Sequence, residues 1–298
     1  MSDYGRDLEF GASVEPLADP PDRAARVAQA ADRARLDLLG IQDHPYQRRF
    51  LDTWTLISTL VPQTERLRFF PDVANLPLRP PAMLAKSAAS LDVLSGGRIE
   101  VGLGAGAFWD AIEAMDGPRR SPAEAVRSVE EAIQVMRLVW SNERSLRFDG
   151  EIYSLGGMRP GPRPAHEIGI WVGAYGPKML DLIGRHADGW VPSLGFLQSE
   201  KLPEMQRRID AGAASAGREP TEIQRVLNVS GWIGENGESS LEGPASRWAE
   251  ELARLVLEVG MDTFIYWPRE DHVRQVELFA NEVVPAVRES VAKGRKQA

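Results

Sequence analysis

The chain of 298 residues contains no cysteine. That absence excludes disulfide staples, thiolate zinc sites, iron–sulfur clusters and cysteine nucleophiles, and it suits a reducing compartment. Long apolar runs are missing too. None approaches the roughly 18 residues needed to span a bilayer, and Met1-Ser2-Asp3-Tyr4 leads into Leu8-Glu9-Phe10 without the pattern of a secretion signal. Positive charge is in the minority, 35 Lys+Arg against 43 Asp+Glu for a net charge of −8, so no basic stripe is available to track a phosphate backbone. The four histidines (His44, His166, His186 and His272) are scattered and show no metal-binding spacing. A G-x-S-x-G nucleophile elbow and a Walker phosphate loop are also lacking. The expectation is a soluble, cytoplasmic protein that works on a small molecule, with no nucleic acid, membrane or metal involved.

What is present is alternation. Hydrophobic residues at 43% and charged residues at 26% suit a globular chain, and short apolar runs take turns with longer helical patterns. The runs are 8–14, 38–42, 67–70, 98–103, 168–172, 189–191, 223–233 and 262–267. Between them lie helical stretches, one with Val27, Ala31, Ala34 and Leu38 at spacings that share a face. Others cover 81–94, 177–186, 202–216 and 245–259, and a last one begins at His272. Ser121-Pro122-Ala123-Glu124 reads as a capping box opening a helix whose buried face carries Val126, Val129, Ile133, Met136 and Trp140. Residues 141–167 break the alternation and read as an insertion, a hairpin around 147–153. The basic tail from Lys293 to Ala298 reads as solvated and frayed.

Strands alternating with crossover helices imply a parallel sheet under a helical coat. Eight such pairs within one domain, 1–298, fit a closed (β/α)8 barrel better than an open sheet. Function then belongs where strands end and loops begin. The second strand ends in Asp43-His44, a titratable imidazole beside a carboxylate; a histidine satisfied by a backbone carbonyl is the plainer alternative. The third ends in Pro71-Asp72-Val73-Ala74-Asn75. The fourth ends in Gly102-Leu103-Gly104-Ala105-Gly106-Ala107, which matches the loose dinucleotide pattern. Asp116-Gly117-Pro118 and the capped helix occupy the place of the second Rossmann strand, so NAD binding of that type is rejected. The glycines still suggest close approach of backbone to a ligand. The fifth strand ends in Gly173-Ala174-Tyr175-Gly176-Pro177, a helix N-terminus suited to a phosphate, or simply a tight turn.

Taken in order, these strand ends resemble the bacterial-luciferase-like superfamily of flavin- and deazaflavin-dependent oxidoreductases. The most specific stretch runs from Pro81-Ala82-Met83-Leu84-Ala85-Lys86 through Leu91-Asp92-Val93-Leu94-Ser95-Gly96-Gly97-Arg98 to Gly102-Leu103-Gly104-Ala105-Gly106. Asp43-His44, Ile170-Trp171-Val172-Gly173, Ala187-Asp188-Gly189-Trp190 and Val283-Val284-Pro285-Ala286-Val287-Arg288 support it. The resemblance covers nearly the whole chain and implies a barrel with an insertion after its fourth helix. It also implies FMN or coenzyme F420 across the barrel's C-terminal mouth. Three features favour F420: the Asp43-His44 pair, a bulge at Asp72-Val73 where the family often has a non-proline cis peptide, and Ala105 where the luciferases place an arginine for the FMN phosphate. Arg48 and Ala107 depart from the F420-dependent sugar-phosphate dehydrogenases, which have tryptophan and glutamate there.

The resulting expectation is hydride transfer between deazaflavin and a small organic substrate, with His44 handling the proton and Asp43 fixing its ring. Asp110 and Glu113 stand in reserve for the proton. The cofactor would touch Asp43, His44, Asp72, Val73, Asn75, Gly104, Ala105, Gly106 and Gly173 to Pro177. Arg48, Phe108, Trp109 and Phe196 would line the substrate pocket. An FMN-dependent monooxygenase served by a separate reductase is the alternative, and a non-catalytic flavin-binding protein is a third reading. The resemblance also suggests a homodimer.

Overall fold

The alternation places one parallel sheet at the centre of the molecule. The computed structural model describes residues 3–237 and 239–297. Along the chain, β1 (Glu9–Val14) leads to α1 (Arg23–Arg33), β2 (Leu38–Ile41) to α2 (Thr53–Leu60), and β3 (Arg68–Pro71) and β4 (Ala74–Asn75) to α3 (Pro81–Ser95). Then β5 (Val101–Gly104) is followed by α4 (Trp109–Glu113), α5 (Pro122–Val139) and the strands β6 (Leu146–Asp149) and β7 (Ser154–Met158). The second half continues with β8 (Ile170–Gly173), α6 (Pro177–His186), β9 (Gly189–Trp190), α7 (Leu202–Ser215), β10 (Gln224–Ile233) and β11 (Glu242–Gly243). It closes with α8 (Ala245–Arg254), β12 (Thr263–Pro268), α9 (His272–Leu278) and α10 (Val284–Gln297).

The strands pair in the order β3-β2-β1-β12-β10-β9-β8-β5-β4, each pair parallel. A parallel bridge between Phe69 and Ile99 joins the two ends of this path. Segments β3 and β4 are two halves of one barrel strand: Leu38 to Ile41 pair with β3, while Ala74 and Asn75 pair with Leu103 and Gly104. Counted so, the barrel has the eight strands of a (β/α)8 fold. Leu38, Phe70, Trp171, Val191, Val226 and Ile265 fill its interior, with Phe70 and Trp171 edge to face at 5.0 Å. The plug closes the passage through the barrel below the mouth.

Local chemistry explains most boundaries. The Ser121–Glu124 capping box forms as the sequence predicts, and Met136, Val129 and Ile133 are buried below it. The expected face from Val27 to Leu38 is cut short, however. Helix α1 ends at Arg33, Arg35 takes a left-handed φ of 63°, and Leu38 opens β2. Its four-residue spacing from Ala34 is coincidence between a helix and a buried strand. Helix α4 was not anticipated, because Asp116-Gly117-Pro118 reads as a break. The insertion does hold an antiparallel hairpin. Buried Glu131 of α5 fixes its turn by accepting the N–H groups of Glu151, Ile152 and Tyr153 at 2.8, 3.0 and 2.9 Å. The basic tail is not frayed: α10 runs to Gln297, and Arg295 donates to Asp3 at 2.7 Å and to the Arg6 carbonyl at 2.8 Å. Ala298 lies outside the described residues. Among those residues, no helix is long and apolar enough to cross a membrane, and no acidic, histidine or cysteine cluster is placed to hold a metal.

Candidate active site

A cleft of about 500 Å³ opens at the C-terminal ends of the barrel strands. Gln42 and His44 reach it from β2, Asp72 and Val73 from the β3–β4 junction, and Phe108 from the segment after β5. Gly173 and Tyr175 follow from β8, Val191, Ser193 and Phe196 from β9, Asn228 from β10 and Trp267 from β12. A larger hollow, about 690 Å³, lies at the other end of the barrel beside His166, Arg137 and Asp188. Two of its groups are held in ion pairs, Arg137 with Asp188 at 2.8 Å and His166 with Asp92 behind the wall at 2.8 Å. The mouth is therefore the better place for a reaction.

Asp43 and His44 are neighbours with separate tasks. Asp43 is buried, and its carboxylate accepts two hydrogen bonds from Arg79 at 2.6 Å and one from the Asn75 N–H at 2.9 Å. Arg79 also holds Asp52, the cap of α2, at 2.6 Å. The clamp ties the ends of β2 and β4 to the start of α2, and no hydrogen bond joins Asp43 to the His44 imidazole. The expectation that Asp43 fixes the His44 ring is thereby corrected. Stacking does that instead: Tyr46 lies against His44 at 5.4 Å with 18° between planes, and Phe108 meets it edge-on at 5.6 Å. Burial lowers the His44 pKa below its ordinary value, against the opposing pull of the Asp43 charge. The ring is neutral at neutral pH and faces the cleft.

The glycines at the end of the fourth barrel strand have a different reason from the one expected. A Cβ on Gly104 would sit 2.6 Å from Val73 Cγ2, and one on Gly102 would sit 2.3 Å from the Pro71 carbonyl and 3.1 Å from Val73. Gly173 also faces both Val73 methyls, at 3.2 and 3.3 Å. The close approach is made by the protein's own Val73, seated against β5 and β8. Gly106 does need glycine, with φ +95° and Pro77 and Trp109 packed over it. The Asp72–Val73 peptide is cis, as the resemblance implies.

Gly173 and Tyr175 also line a second hollow, about 440 Å³, beside the cleft on the side of α6. Ala105, Ala174, Gly176, Pro177 and Lys178 border it. Pro177 opens α6, Gly176 is its N-cap, and space is open where a Gly176 side chain would be. Lys178 adds a positive charge that the sequence pattern did not single out.

Other expected residues lie elsewhere. Arg48 is exposed and Trp109 packs on Gly106; neither borders the cleft. Asn75 is buried beside the Asp43 clamp, and Gly104 serves Val73. Asp110 and Glu113 sit on α4, both paired with Arg119 away from the cleft. Phe108 and Phe196, 55% and 81% exposed, form the rim. Unforeseen are Asn228, Ser193 and Trp267, which no motif marks.

A plugged barrel with two neighbouring hollows at the C-terminal ends of its strands, one of them at a helix N-terminus, is the arrangement in which (β/α)8 enzymes carry their active sites. A family model described as luciferase-like monooxygenase matches residues 7–265. The chain belongs to that family of oxidoreductases. Among relatives, it is 31% identical to a 5,10-methylenetetrahydromethanopterin reductase of Methanolobus tindarius, over 72% of this chain and 63% of that one. It is 29% identical to an F420-dependent glucose-6-phosphate dehydrogenase of Kineococcus radiotolerans, over 87% and 82%. Among solved structures, an F420-dependent secondary alcohol dehydrogenase superposes with a TM-score of 0.84 at 18% identity, over 95% and 99%. The oxygenating constituent of 3,6-diketocamphane monooxygenase from Pseudomonas putida, in complex with FMN, gives 0.77 at 18%, over 94% and 98%.

Proposed function

We propose that the protein is an F420-dependent oxidoreductase that moves a hydride between the deazaflavin and a small organic substrate. The observation that carries this reading is the pair of adjacent hollows at the strand ends, one lined by His44 and Val73 and the other by the Gly176–Lys178 turn. The activities of the F420-dependent relatives support it, as does Ala105 in place of the luciferase arginine. The residues present suit such a group. The cleft is walled by Val73, Val191 and Val229, and the α6 N-terminus and Lys178 offer an anion a dipole and a cation. When bound, the deazaflavin supplies the hydride chemistry on its flat ring.

The chain supplies the rest. Val73 forms the wall behind a ring, while Phe108 and Phe196 cover the entrance and restrict water. An alcohol that loses a hydride must also lose a proton, and neutral His44 accepts it at a ring nitrogen; in the reverse direction it returns it. Lys178 and the N–H groups of the α6 turn hold the phosphorylated tail. A homodimer in the cytoplasm belongs to the same proposal. FMN-dependent oxygenation with a separate reductase is the second reading, favoured by the fold shared with the FMN-bound neighbour. Titration separates them: F420 should bind in the micromolar range or tighter and more strongly than FMN, read by absorbance and calorimetry. Tighter FMN binding, or a yellow purified protein, moves the assignment to the monooxygenase.

A further inference from the structure

Aromatic side chains carry more apolar surface than any others, and folding hides most of them. The chain has 9 phenylalanines, 5 tyrosines and 8 tryptophans. Among the described residues only three of these rings are exposed, those of Phe108, Tyr175 and Phe196. All three line the cleft at the mouth. They follow β5, β8 and β9, which are neighbours in the barrel, so together they make one arc along one side of the opening. Single exposed apolar residues are ordinary on a protein surface, but three exposed rings gathered at one concavity mark a place where something apolar is received.

The arc is held in shape. The Tyr175 hydroxyl accepts the Ser193 N–H at 3.1 Å, which fixes its ring beside Phe196, 6.3 Å away and tilted by 54°. At the other end Phe108 meets the His44 ring at 5.6 Å and the Tyr46 ring at 5.9 Å. The apolar surface therefore begins directly beside the imidazole. Charge is scarce around it. Among the described residues that line the cleft there is no lysine or arginine, and the one acid, Asp72, is buried with an oxygen bonded to Asn228 at 3.2 Å. Lys178 borders the neighbouring hollow instead. A carboxylate or phosphate on a molecule in this cleft would give up water without meeting a cation, and a polyol would turn its hydroxyls to phenyl rings.

We propose that Phe108, Tyr175 and Phe196 receive the body of the substrate, and that this body is uncharged, flat and apolar: an aromatic or alicyclic ketone, or the corresponding alcohol, with its oxygen at His44. Because Phe108 stands next to His44, the apolar body starts within a bond or two of the reacting carbon. The inference deepens the proposed hydride transfer and rests on it for the placing of the oxygen, whereas the apolar arc is tested by binding alone.

Calorimetry with 2-acetylnaphthalene, 6-acetyl-2-naphthoate and dihydroxyacetone, on the full-length protein with and without F420, tests the arc. The neutral ketone should bind at least about tenfold more tightly than its carboxylate, and dihydroxyacetone should give no measurable binding. Phe108→Ser and Phe196→Ser should each weaken the ketone by at least about fivefold through lost aromatic contact. Phe196→Leu should hold it within about threefold of the parent. Leu94→Ser, a change at an exposed apolar residue of α3 outside the cleft, should leave it unaltered. Thermal melts check that the variants fold. Equal binding of ketone and carboxylate, no binding of the ketone, or unaltered binding by the folded serine variants overturns the proposal. Equal weakening by Leu94→Ser overturns it too, since the contact would then be general stickiness. The two readings fail separately. Ketone binding without oxidation of reduced F420 strikes the hydride transfer and leaves the arc, and oxidation of reduced F420 by dihydroxyacetone but not by the ketone does the reverse.

Discussion

His44 faces the cleft with an imidazole held by stacking and kept neutral by burial, while its neighbour Asp43 is locked in a guanidinium clamp. If the imidazole carries the proton, His44→Ala should lower turnover by at least about a hundredfold and change cofactor affinity far less. Because burial lowers its pKa, the basic form persists through neutral pH. Activity in the direction that needs a base should fall only below the ordinary histidine midpoint of 6.5, as acid protonates the ring. Stopped-flow rates across pH, with calorimetric affinities beside them, check both statements. Equal losses in rate and affinity would make His44 a wall rather than a base. The histidine was legible in the sequence because a titratable residue at a barrel-strand end is a recognisable event. Asn228 and Trp267 were not: both sit within strands among apolar neighbours, and only the packing shows that their polar atoms have no partner.

Among the elements, the split strand and its glycines govern the shape of the mouth. Gly104→Ala would press a methyl into Val73, 2.6 Å from Cγ2, and overpacking of that kind costs about 1–3 kcal/mol. The melting temperature should fall, and cofactor binding should weaken with it, because the displaced wall is the ring's backstop. A variant as stable and as tightly bound as the parent would show that Val73 has slack. At α6, Gly176 has ordinary helix-entry dihedrals and open space, so Gly176→Asp should fold normally. Its carboxylate should nevertheless weaken binding of a phosphorylated cofactor by at least about tenfold through repulsion at the N-terminal dipole, measured as Kd. An unchanged value would move the tail elsewhere. Element order was readable because apolar runs and helical spacing rarely mimic each other over ten residues. The exception was the Ala34–Leu38 step, where a short turn keeps the helical spacing, and α4 was lost behind a Gly-Pro break.

At the scale of the whole molecule, the end of the barrel away from the mouth is tied by His166. Its Nδ1 meets Asp92 of α3 at 2.8 Å and its Nε2 meets Glu100, just before β5, at 3.3 Å. Asp92 also accepts the N–H of Ala165 at 2.7 Å, and Glu100 accepts that of Gly169 at 2.7 Å. The hydrogen bond to Glu100, with the charges of Glu100 and Asp92, raises the His166 pKa against the effect of burial. A raised histidine stabilises the fold fully below its unfolded value, 6.5, and that contribution disappears as pH climbs through the higher folded value. The gap in melting temperature between the parent and His166→Asn should therefore be wider near about pH 6 than near about pH 9. A gap independent of pH would mean that the imidazole acts there only as packing. Nothing in the sequence joined His166 to Asp92 and Glu100, since the contacts span 74 and 66 residues.

A regular strand lends every second residue to the barrel interior and gives the others to the helices. Phe69 and Phe70 obey this, one packed among the helices and one in the interior plug. Asp72 and Val73, consecutive in the chain, both border the cleft, because β3 hands its pairing from one neighbour strand to the other between them. Two adjacent codons thus set different properties of one cavity. A change at Val73 alters the room in the cleft, and a change at Asp72 alters the hydrogen bond that crosses it to Asn228. Shape and chemistry at this mouth are thus set by neighbouring residues, each of which also packs against glycines of the barrel strands.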